Sequence, residues 1–278
     1  MMEIDTISDF LEYYGELARD EIGRIVAPVE KNTMSLVRYE SVGVIGCIIP
    51  WNYPLALMGW KLAPALAAGN TVVMKPSEVT PLSILHWCKV IDSILPPGVI
   101  NVVTGYGQSA GEPIVMNPDV PVITFTGSVA TGKKIANLAA KNLKKVSLEL
   151  GGKDPMIVLK DADINRAVEC AAFGGLSNAG QTCISTEEIF VESQICDKFI
   201  DAMSQKIKSI SSGNSKSDDL GPMIVPETME KVKQHIDETK QICLIVEGGA
   251  IDKDKYVAPT LIVDPPKDLR VVSHRFTA

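Results

Sequence analysis

Short apolar runs alternate with helical stretches between Val42 and Lys160, and this alternation constrains the fold more than any other feature of the chain. VGVIGCIIP is followed by MGWKLAPALAAG, NTVVMKP by LSILHWCKVIDSIL, GVINVVTG by SAGEPIVMN, and PVITFTG by TGKKIANLAAKN; KKVSLELGG and PMIVLKD close the series. Runs rich in β-branched residues that alternate with helices are typical of parallel βαβ units. The sequence therefore predicts an α/β fold with a doubly wound parallel sheet.

The segments on either side of this series also carry readable patterns. Apolar residues recur at helical spacing from Ile7 to Ile22, which predicts an amphipathic helix, and SLVRYESV over residues 35–42 predicts a half-exposed strand. Beyond Lys160 we predict a helix from Asp163 to about Leu176. The sequence then predicts a strand at EEIFVES, an amphipathic helix at KFIDAMSQKIKSI and an exposed turn at SSGNSKSDD.

Composition and charge narrow the classes of function. The net charge is −7 and the lysines are scattered, so we expect no nucleic-acid partner. The N-terminus MMEIDTISDF is acidic where a secretory signal is basic, and no apolar run approaches the roughly 20 residues that span a bilayer, so we predict a cytoplasmic protein without membrane contact. The six cysteines lack CxxC spacing and the three histidines are far apart, which predicts reduced thiols and no metal site.

Polar or glycine-rich segments follow the predicted strands. In doubly wound sheets, ligands bind beyond the carboxyl ends of the strands, near a reversal of strand order. We therefore expect a ligand site among these strand ends. They are PWNYP (50–54), KPSE (75–78), GYGQSAG (105–111), FTGS (125–128) and ELGGK (149–153).

Two of these strand ends suit a bound nucleotide. The backbone amides of Gly127 and Ser128 precede a predicted helix and can meet an anion there, although the spacing does not match GxGxxG and an ordinary glycine turn is the alternative. Lys75 and Glu78 can hydrogen-bond the hydroxyls of a ribose. The alternative for this pair is an incidental contact of two charges in a solvated turn.

Three further side chains can take part in catalysis. Glu149 lies between Leu148 and Leu150, an apolar setting that raises the pKa of a carboxyl and suits a general base, with a capping or pairing carboxylate as the alternative. Asn52 can donate to an oxyanion, or is a common turn asparagine. Cys183 stands in the polar loop NAGQTCIST as a reactive thiol or an inert cysteine, with no histidine close in sequence.

Five segments occur together in an order that resembles the aldehyde dehydrogenase superfamily. They are IIPWNYPL (48–55), TVVMKPSE (71–78), FTGSVATG (125–132), LELGGKDP (148–155) and GQTC (180–183). The resemblance runs from about Arg24 to Val272. It implies a Rossmann-like dinucleotide-binding domain with an N-terminal helix and oligomerisation arm over residues 1–150. It also implies a partial catalytic domain over residues 151–278, and homo-oligomers.

The resemblance implies NAD(P)-dependent oxidation of a small aldehyde to a carboxylic acid, through a thiohemiacetal and a thioester on Cys183. Glu149 would be the general base, and its presence favours hydrolysis over transfer to coenzyme A. Asn52 and the backbone amide of Cys183 would form the oxyanion hole. Glu78 favours NAD, while family members with this glutamate also accept NADP. The implied cofactor-binding residues are Ile48, Pro50, Trp51, Lys75, Ser77, Glu78, Gly107, Phe125, Gly127, Ser128, Leu150 and Gly151.

The chain also departs from the family pattern. Family members are much longer, so we expect truncation at both ends, and the final RVVSHRFTA diverges where the family continues into a Glu-Phe-Gly-Pro motif. Truncation would leave apolar faces uncovered and favour association. The alternative function is therefore a catalytically silent fragment, from a truncated or split gene, that binds a dinucleotide without turnover.

Overall fold

A computed structural model describes residues 2–20, 23–215, 217–250 and 256–273. The chain divides into two compact units, Met1–Glu149 and Leu150–Ala278. Ile22 and the divergent residues 274–278, which the sequence analysis singled out, lie outside the described residues. Where the structure describes the chain, no helix combines the length and the apolar character needed to cross a membrane.

Helices and strands alternate through most of both units. The helices are α1 Met2–Leu17, α2 Pro54–Ala67, α3 Leu82–Ile91, α4 Glu112–Met116, α5 Val129–Ala140, α6 Ile164–Leu176, α7 Cys196–Ser209, α8 Pro226–Thr239 and α9 Arg270–Ser273. The strands are β1 Arg24–Val26, β2 Ser35–Val37, β3 Val44–Ile48, β4 Thr71–Lys75, β5 Ile100–Val102, β6 Val122–Gly127, β7 Lys145–Leu150, β8 Asp154–Val158, β9 Thr186–Val191, β10 Ser211–Ser212, β11 Leu244–Glu247, β12 Gly249–Ala250 and β13 Thr260–Val263.

A five-stranded sheet organises the first unit, in the order β5-β4-β3-β6-β7. The strand β3 pairs in parallel with β4 and β6, and β4 pairs in parallel with β5. On one face, Cys47 and Met74 are fully buried in a core that also contains Leu57 and Leu62 of α2 and Ile84 of α3. The predicted α/β fold with a parallel sheet is confirmed.

On the opposite face of this sheet, Gly46 lets neighbouring side chains approach the backbone. A Cβ atom added at Gly46 would lie 2.7 Å from Ile114 Cγ2 of α4 and 2.8 Å from Ile123 Cδ1 of β6. Both distances are shorter than carbon contacts allow, and cores tolerate added methyl groups poorly. The glycine therefore permits the close packing that covers this second face of the sheet.

The helix α1 packs along α2 and caps it. Ile7 is 2% exposed within the core, and the ring of Phe10 meets the ring of Trp60 edge to face at 5.8 Å. Glu3 Oε2 accepts hydrogen bonds from the backbone amides of Leu55 at 2.9 Å and Ala56 at 3.1 Å. A carboxylate at this position stabilises the first turn of α2, whose free amides carry partial positive charge.

The strand predicted over residues 35–42 is wrong beyond Val37. The observed β2 pairs antiparallel with β1, and the register matches Arg24 with Val37 and Val26 with Ser35. The pairing described for β1 begins at Arg24, so the matching end of β2 is Val37. A strand persists only where a neighbour satisfies its backbone groups.

Two parallel strands and two helices form the centre of the second unit. The strands β8 and β9 pair in parallel, and α6 and α7 pack against one face of them. Asp163 caps α6 by accepting from the Arg166 amide at 3.1 Å, which agrees with the predicted start of this helix. The exposed turn predicted at SSGNSKSDD is wrong at its beginning. Ser212 is fully buried in β10, and its hydroxyl donates to the Val257 carbonyl at 3.1 Å.

Candidate functional site

Three parallel strands of the first unit end at the same level. The register places Ile48 of β3 opposite Lys75 of β4 and opposite Phe125 of β6. The segments 50–54, 75–78 and 125–128 therefore leave the sheet at one edge, which we call the carboxyl edge. Because Val102 of β5 pairs with Met74, the segment 105–111 follows β5 at this edge too.

The order of strands reverses beside β3. From β3 the chain proceeds to β4 and β5 on one side, and then returns to β6 on the other side. The loops after β3 and β6 consequently flank the crevice in which doubly wound sheets bind ligands. Trp51 and Asn52 follow β3, and Gly127 and Ser128 lie at the end of β6. The Trp51 carbonyl accepts from Thr80 Oγ1 at 3.2 Å, which ties the loop after β3 to the segment after β4.

Lys75 and Glu78 form an ion pair at the carboxyl edge. Lys75 is 4% exposed, and its Nζ lies 2.8 Å from Glu78 Oε2, whereas the Glu78 side chain is 42% exposed. Partial burial raises the pKa of Glu78, but the hydrogen bond and charge of Lys75 outweigh it and leave that pKa below its usual value. Lys75 is therefore buried, whereas Glu78, its partner in the predicted turn, is exposed to solvent. The buried Lys75 ammonium thus holds the ionised Glu78 carboxylate at the carboxyl edge.

The start of α5 combines a close approach with a cap. A Cβ atom at Gly127 would lie 2.6 Å from Phe125 Cζ, so the phenyl ring occupies the space of a side chain. Ser128 is the N-cap residue of α5, and its Oγ accepts from the Thr131 amide at 3.2 Å. This geometry fits both the glycine turn and the anion site that the sequence left open.

The remaining residues of the implied cofactor site differ in burial. Ile48 is 9% exposed, Pro50 is half-buried, and Ser77 is 8% exposed with its Oγ accepting from the Val79 amide at 3.3 Å. Gly107 begins a π-helical turn, Gly107–Gly111, and is exposed. Leu150 and Gly151 belong to the second unit, in which Leu150 is half-buried and Gly151 is buried.

The apolar setting expected around Glu149 is wrong. Glu149 is exposed, while Leu148 and Leu150 on either side are half-buried. Side chains alternate between the two faces of a strand, so both leucines of β7 point away from the carboxylate between them. Neighbours in sequence therefore do not bury Glu149.

Lys61 is a buried cation that the sequence analysis missed. It is 7% exposed on α2, and its Nζ donates to Thr126 Oγ1 at 2.7 Å and to Thr124 Oγ1 at 3.2 Å on β6. Burial lowers the pKa of Lys61 from 10.5 to about 8, and the carboxylate of Glu149 counteracts part of this decrease. The first unit thus holds a buried ammonium group that loses its proton at lower pH than an ordinary lysine does.

Cys183 lies in the second unit, in a tight turn of the loop after α6. The turn is closed by a hydrogen bond from the Ser185 amide to the Thr182 carbonyl at 3.1 Å, and Cys183 and Ile184 are its two central residues. Cys183 is half-buried and Ile184 is 73% exposed. A half-buried thiol at a turn is unlike a cysteine that fills a core.

Buried polar side chains hold this turn from both sides. Gln181 and Ser185 are each 3% exposed. Gln181 Nε2 donates to the Asn178 carbonyl at 2.8 Å, and Gln181 Oε1 accepts from the Ile224 amide at 2.9 Å. The Ser185 hydroxyl lies 3.3 and 3.2 Å from the carbonyls of Gly174 and Gly175. The sequence analysis quoted GQTC but assigned no role to Gln181 or Ser185, which are polar residues two positions before and after the cysteine.

The backbone before this turn is left-handed over successive residues. Asn178 has φ 54° and ψ 35°, Ala179 has φ 57° and ψ 36°, and Gly180 has φ 74°. Asparagine and glycine tolerate this conformation, whereas alanine disfavours it by about 1 kcal/mol or more. The strain therefore concentrates at Ala179.

Replacing Ala179 by glycine is expected to stabilise the second unit by about 0.5 to 1 kcal/mol, because glycine removes the Cβ clash of the left-handed conformation. Ala202→Gly on α7 is the matched control, since glycine within a helix costs about 1 kcal/mol. The free energy of unfolding of each variant is measured by urea denaturation, with hydrogen exchange of the amides in residues 150–250 as the probe of unfolding. Equal destabilisation by the two substitutions would contradict a left-handed Ala179.

Comparison with known proteins gives one consistent family. A sequence profile of the aldehyde dehydrogenase family matches residues 1–276. Betaine aldehyde dehydrogenase from Bacillus subtilis (strain 168) is 39% identical in an alignment of 281 positions that covers 97% of this chain and 57% of that protein. An aldehyde dehydrogenase from Agaricus bisporus is 38% identical over 269 residues, covering 94% of this chain and 54% of the fungal protein.

Solved structures agree with these sequence relatives. Betaine aldehyde dehydrogenase from Staphylococcus aureus in complex with NAD+ matches with a TM-score of 0.92 at 36% identity, over 98% of this chain and 56% of that one. The chain thus spans little more than half the length of these relatives. The relatives are aldehyde dehydrogenases, and the profile match extends over almost every residue of this sequence. The chain belongs to the aldehyde dehydrogenase family.

Proposed function

We propose that this polypeptide carries out NAD-dependent oxidation of a small aldehyde to a carboxylic acid. The observation that carries the proposal is the carboxyl edge, where the Lys75–Glu78 pair lies near the reversal of strand order. Dinucleotides bind at this position in doubly wound sheets. The first unit is proposed as the dinucleotide-binding domain and the second as part of the catalytic domain. Homo-oligomers and a cytoplasmic location stay predictions.

The residues at the carboxyl edge fit a dinucleotide. An ionised carboxylate at Glu78 can accept hydrogen bonds from paired ribose hydroxyls, and the buried Lys75 fixes its direction. The capped start of α5 at Ser128 offers a helix N-terminus to a phosphate. A carboxylate near the ribose disfavours a 2′-phosphate, so we propose NAD as the preferred cofactor and NADP as the weaker one. NAD supplies a hydride acceptor when it is bound.

Cys183, Asn52 and Glu149 are proposed to perform the remaining chemistry. The Cys183 thiolate adds to the aldehyde carbon, and the new C–S bond places negative charge on the former carbonyl oxygen. The Asn52 side-chain amide and the Cys183 backbone amide donate to that oxygen. After oxidation the acyl group is held as a thioester on Cys183. Glu149 accepts a proton from water, the hydroxide oxygen bonds to the acyl carbon, and the C–S bond breaks to release the acid.

The proposal is tested by titrating the whole chain with NAD and with NADP, followed by a panel of small aldehydes that includes betaine aldehyde. We expect tighter binding of NAD than of NADP, and an increase in absorbance of the reduced nicotinamide with at least one aldehyde. Glu78→Gln is expected to reduce the preference for NAD about tenfold, because removing the charge removes the repulsion of a 2′-phosphate. Failure to bind either dinucleotide would refute the proposal.

A second candidate is dinucleotide binding without turnover. The chain spans 54–57% of the length of the relatives compared above, and dinucleotide binding is a function that this part of such a protein can have without the rest. Active sites require support to within a fraction of an ångström, and that support can come from any part of a protein. Binding of NAD with no reduction by any aldehyde, and turnover after addition of a chain carrying the rest of a family member, would establish this second function.

A further inference from the structure

We propose that Gln181 is a positioning residue that holds the Cys183 turn in one conformation through both ends of its buried side-chain amide. The inference rests on the proposed role of Cys183 as the nucleophile. In this proposal the Gln181 side chain does not itself react. It orients the thiol of Cys183.

The backbone that leads into the Cys183 turn does not favour its own conformation. Asn178, Ala179 and Gly180 are consecutively left-handed, and an alanine within such a stretch persists only where its surroundings determine the conformation. Contacts from outside the stretch must therefore hold it. Gln181 is the next residue along the chain and lies between this stretch and the turn.

Gln181 provides such contacts at both ends of one amide. Its Nε2 donates to the carbonyl of left-handed Asn178 at 2.8 Å, and the same carbonyl accepts from the Gln181 backbone amide at 3.2 Å. Its Oε1 accepts at 2.9 Å from the backbone amide of Ile224, which is 43 residues further along the chain. With the residue 3% exposed, water competes little for either bond.

Gln181 is adjacent to the turn that contains the thiol, so fixing Gln181 also fixes the start of that turn. Gln181 directly precedes Thr182, whose carbonyl accepts the hydrogen bond that closes the turn around Cys183. On the far side of the turn, the Ser185 hydroxyl contacts Gly174 and Gly175 at 3.3 and 3.2 Å, longer than either bond of the Gln181 side chain. Shorter bonds are the stronger ones, so Gln181 is the firmer of the two anchors.

The matched test compares Gln181→Met with Gln205→Met. Methionine keeps the length and burial of the side chain but removes both hydrogen bonds, and Gln205 is an exposed glutamine on α7 of the same unit. The rate of carbamidomethylation of Cys183 is measured by peptide mapping relative to Cys170, an exposed cysteine on α6 that serves as an internal reference. We expect the ratio of the two rates to rise about fivefold in Gln181→Met, because a released turn exposes the half-buried thiol, and to stay unchanged in Gln205→Met.

Hydrogen exchange and turnover complete the comparison. In Gln181→Met, the Ile224 amide loses its acceptor and the Ser185 amide loses a fixed turn, so we expect both to exchange about tenfold faster. Where the whole chain turns over, kcat is expected to fall by about 10- to 100-fold, since misplacing a reacting atom by about 1 Å has effects of this size. The Kd for NAD is expected to stay the same, because the proposed cofactor residues of the carboxyl edge lie in the first unit.

Gln181→Glu is a second variant that decides the matter if the methionine variant does not fold. Glutamate keeps an acceptor for the Ile224 amide but replaces the donor to the Asn178 carbonyl by a second acceptor, so the Ser185 amide should exchange faster than in wild type while the Ile224 amide stays protected. A wild-type ratio and unchanged Ser185 exchange in both variants would overturn the inference. Absence of turnover in the wild-type chain would instead count against the proposed function, and alkylation and exchange would still decide the role of Gln181.

Discussion

Replacing Cys183 by serine is expected to abolish aldehyde-dependent reduction of NAD, with kcat falling by at least about 10⁴-fold. The thiolate is the attacking form of a cysteine, and a serine hydroxyl ionises far less readily and needs a neighbouring base that a thiolate does not. Serine has nearly the size of cysteine, and Cys183 is half-buried, so the fold should lose less than about 1 kcal/mol. Absorbance of the reduced nicotinamide in steady state and in a single turnover measures the effect.

Cys170→Ser is the matched control for this experiment. Cys170 is exposed on α6, within the same unit, and has no part in the proposed chemistry. Its replacement should leave kcat within twofold of the wild-type value. If Cys183→Ser retained more than a tenth of the activity, Cys183 would not be the nucleophile, and another group would have to form the bond to the aldehyde.

Local patterns in the sequence were sufficient for the class of fold. Each of the five short apolar runs predicted as strands between Val42 and Gly152 contains one strand of the observed five-stranded sheet, because backbone pairing and burial favour such runs. The order of the strands was not predictable in this way. It depends on contacts between segments distant in sequence, such as Ile48 with Phe125. The strand ends could therefore be named as a ligand site, but their shared edge required the structure.

Glu149 shows how sequence neighbours mislead. Two flanking leucines suggested an apolar environment, yet they occupy the opposite face of β7 and leave the carboxylate exposed. Burial in a strand depends on which face a residue takes and what covers that face, and neither is a property of adjacent residues. The same reasoning explains Ser212, which is buried although it is the second residue of a segment of turn-forming residues.

The roles of Gln181 and Lys61 were missed because each has a partner that is distant in sequence. The Gln181 amide meets Ile224, and the Lys61 ammonium meets Thr124 and Thr126, 63 and 65 residues away. Within MGWKLAPALAAG, a lysine reads as one polar position on a helix that is otherwise apolar. Only the structure shows that this lysine is buried and meets the two threonines of β6.

Substitution of Lys61 by methionine is expected to change how the stability of the first unit depends on pH. In the folded state the pKa of Lys61 is about 8, below its ordinary 10.5, chiefly because of burial. Below pH 8 the lysine is charged in both states, and the folded state bears the desolvation penalty. Between pH 8 and 10.5 the folded state is neutral while the unfolded state still binds the proton, so the stability of the wild type rises with pH. Relative to Lys61→Met, the gain should total about 3 kcal/mol.

Tryptophan fluorescence during urea unfolding measures this difference, since all three tryptophans, Trp51, Trp60 and Trp87, belong to the first unit. Lys133→Met is the control, because Lys133 is exposed on α5 and its replacement should give a difference that does not vary over the same pH range. The effect of Lys61 titration is shown by how the stability difference between wild type and Lys61→Met changes with pH, and not by the difference at one pH. Methionine also removes the donor to Thr124 and Thr126, which changes stability at every pH.

The buried thiols of Cys47 and Cys88 decrease the stability of the first unit as pH rises, whereas Lys61 increases it. The effect of Lys61 must therefore be measured as a difference between the wild type and Lys61→Met. Burial raises the pKa of Cys47 from 9.0 to about 12 and that of Cys88 from 9.0 to about 11, so in the folded state both stay protonated above pH 9 while the unfolded chain loses those protons. Their contribution to stability is complete below pH 9 and decreases above it. The wild-type profile alone therefore mixes a rise from Lys61 with a fall from the thiols. Subtracting the Lys61→Met profile largely cancels the thiols, and a difference constant to within about 0.5 kcal/mol from pH 7.5 to 10.5 would show that Lys61 keeps its proton inside the fold.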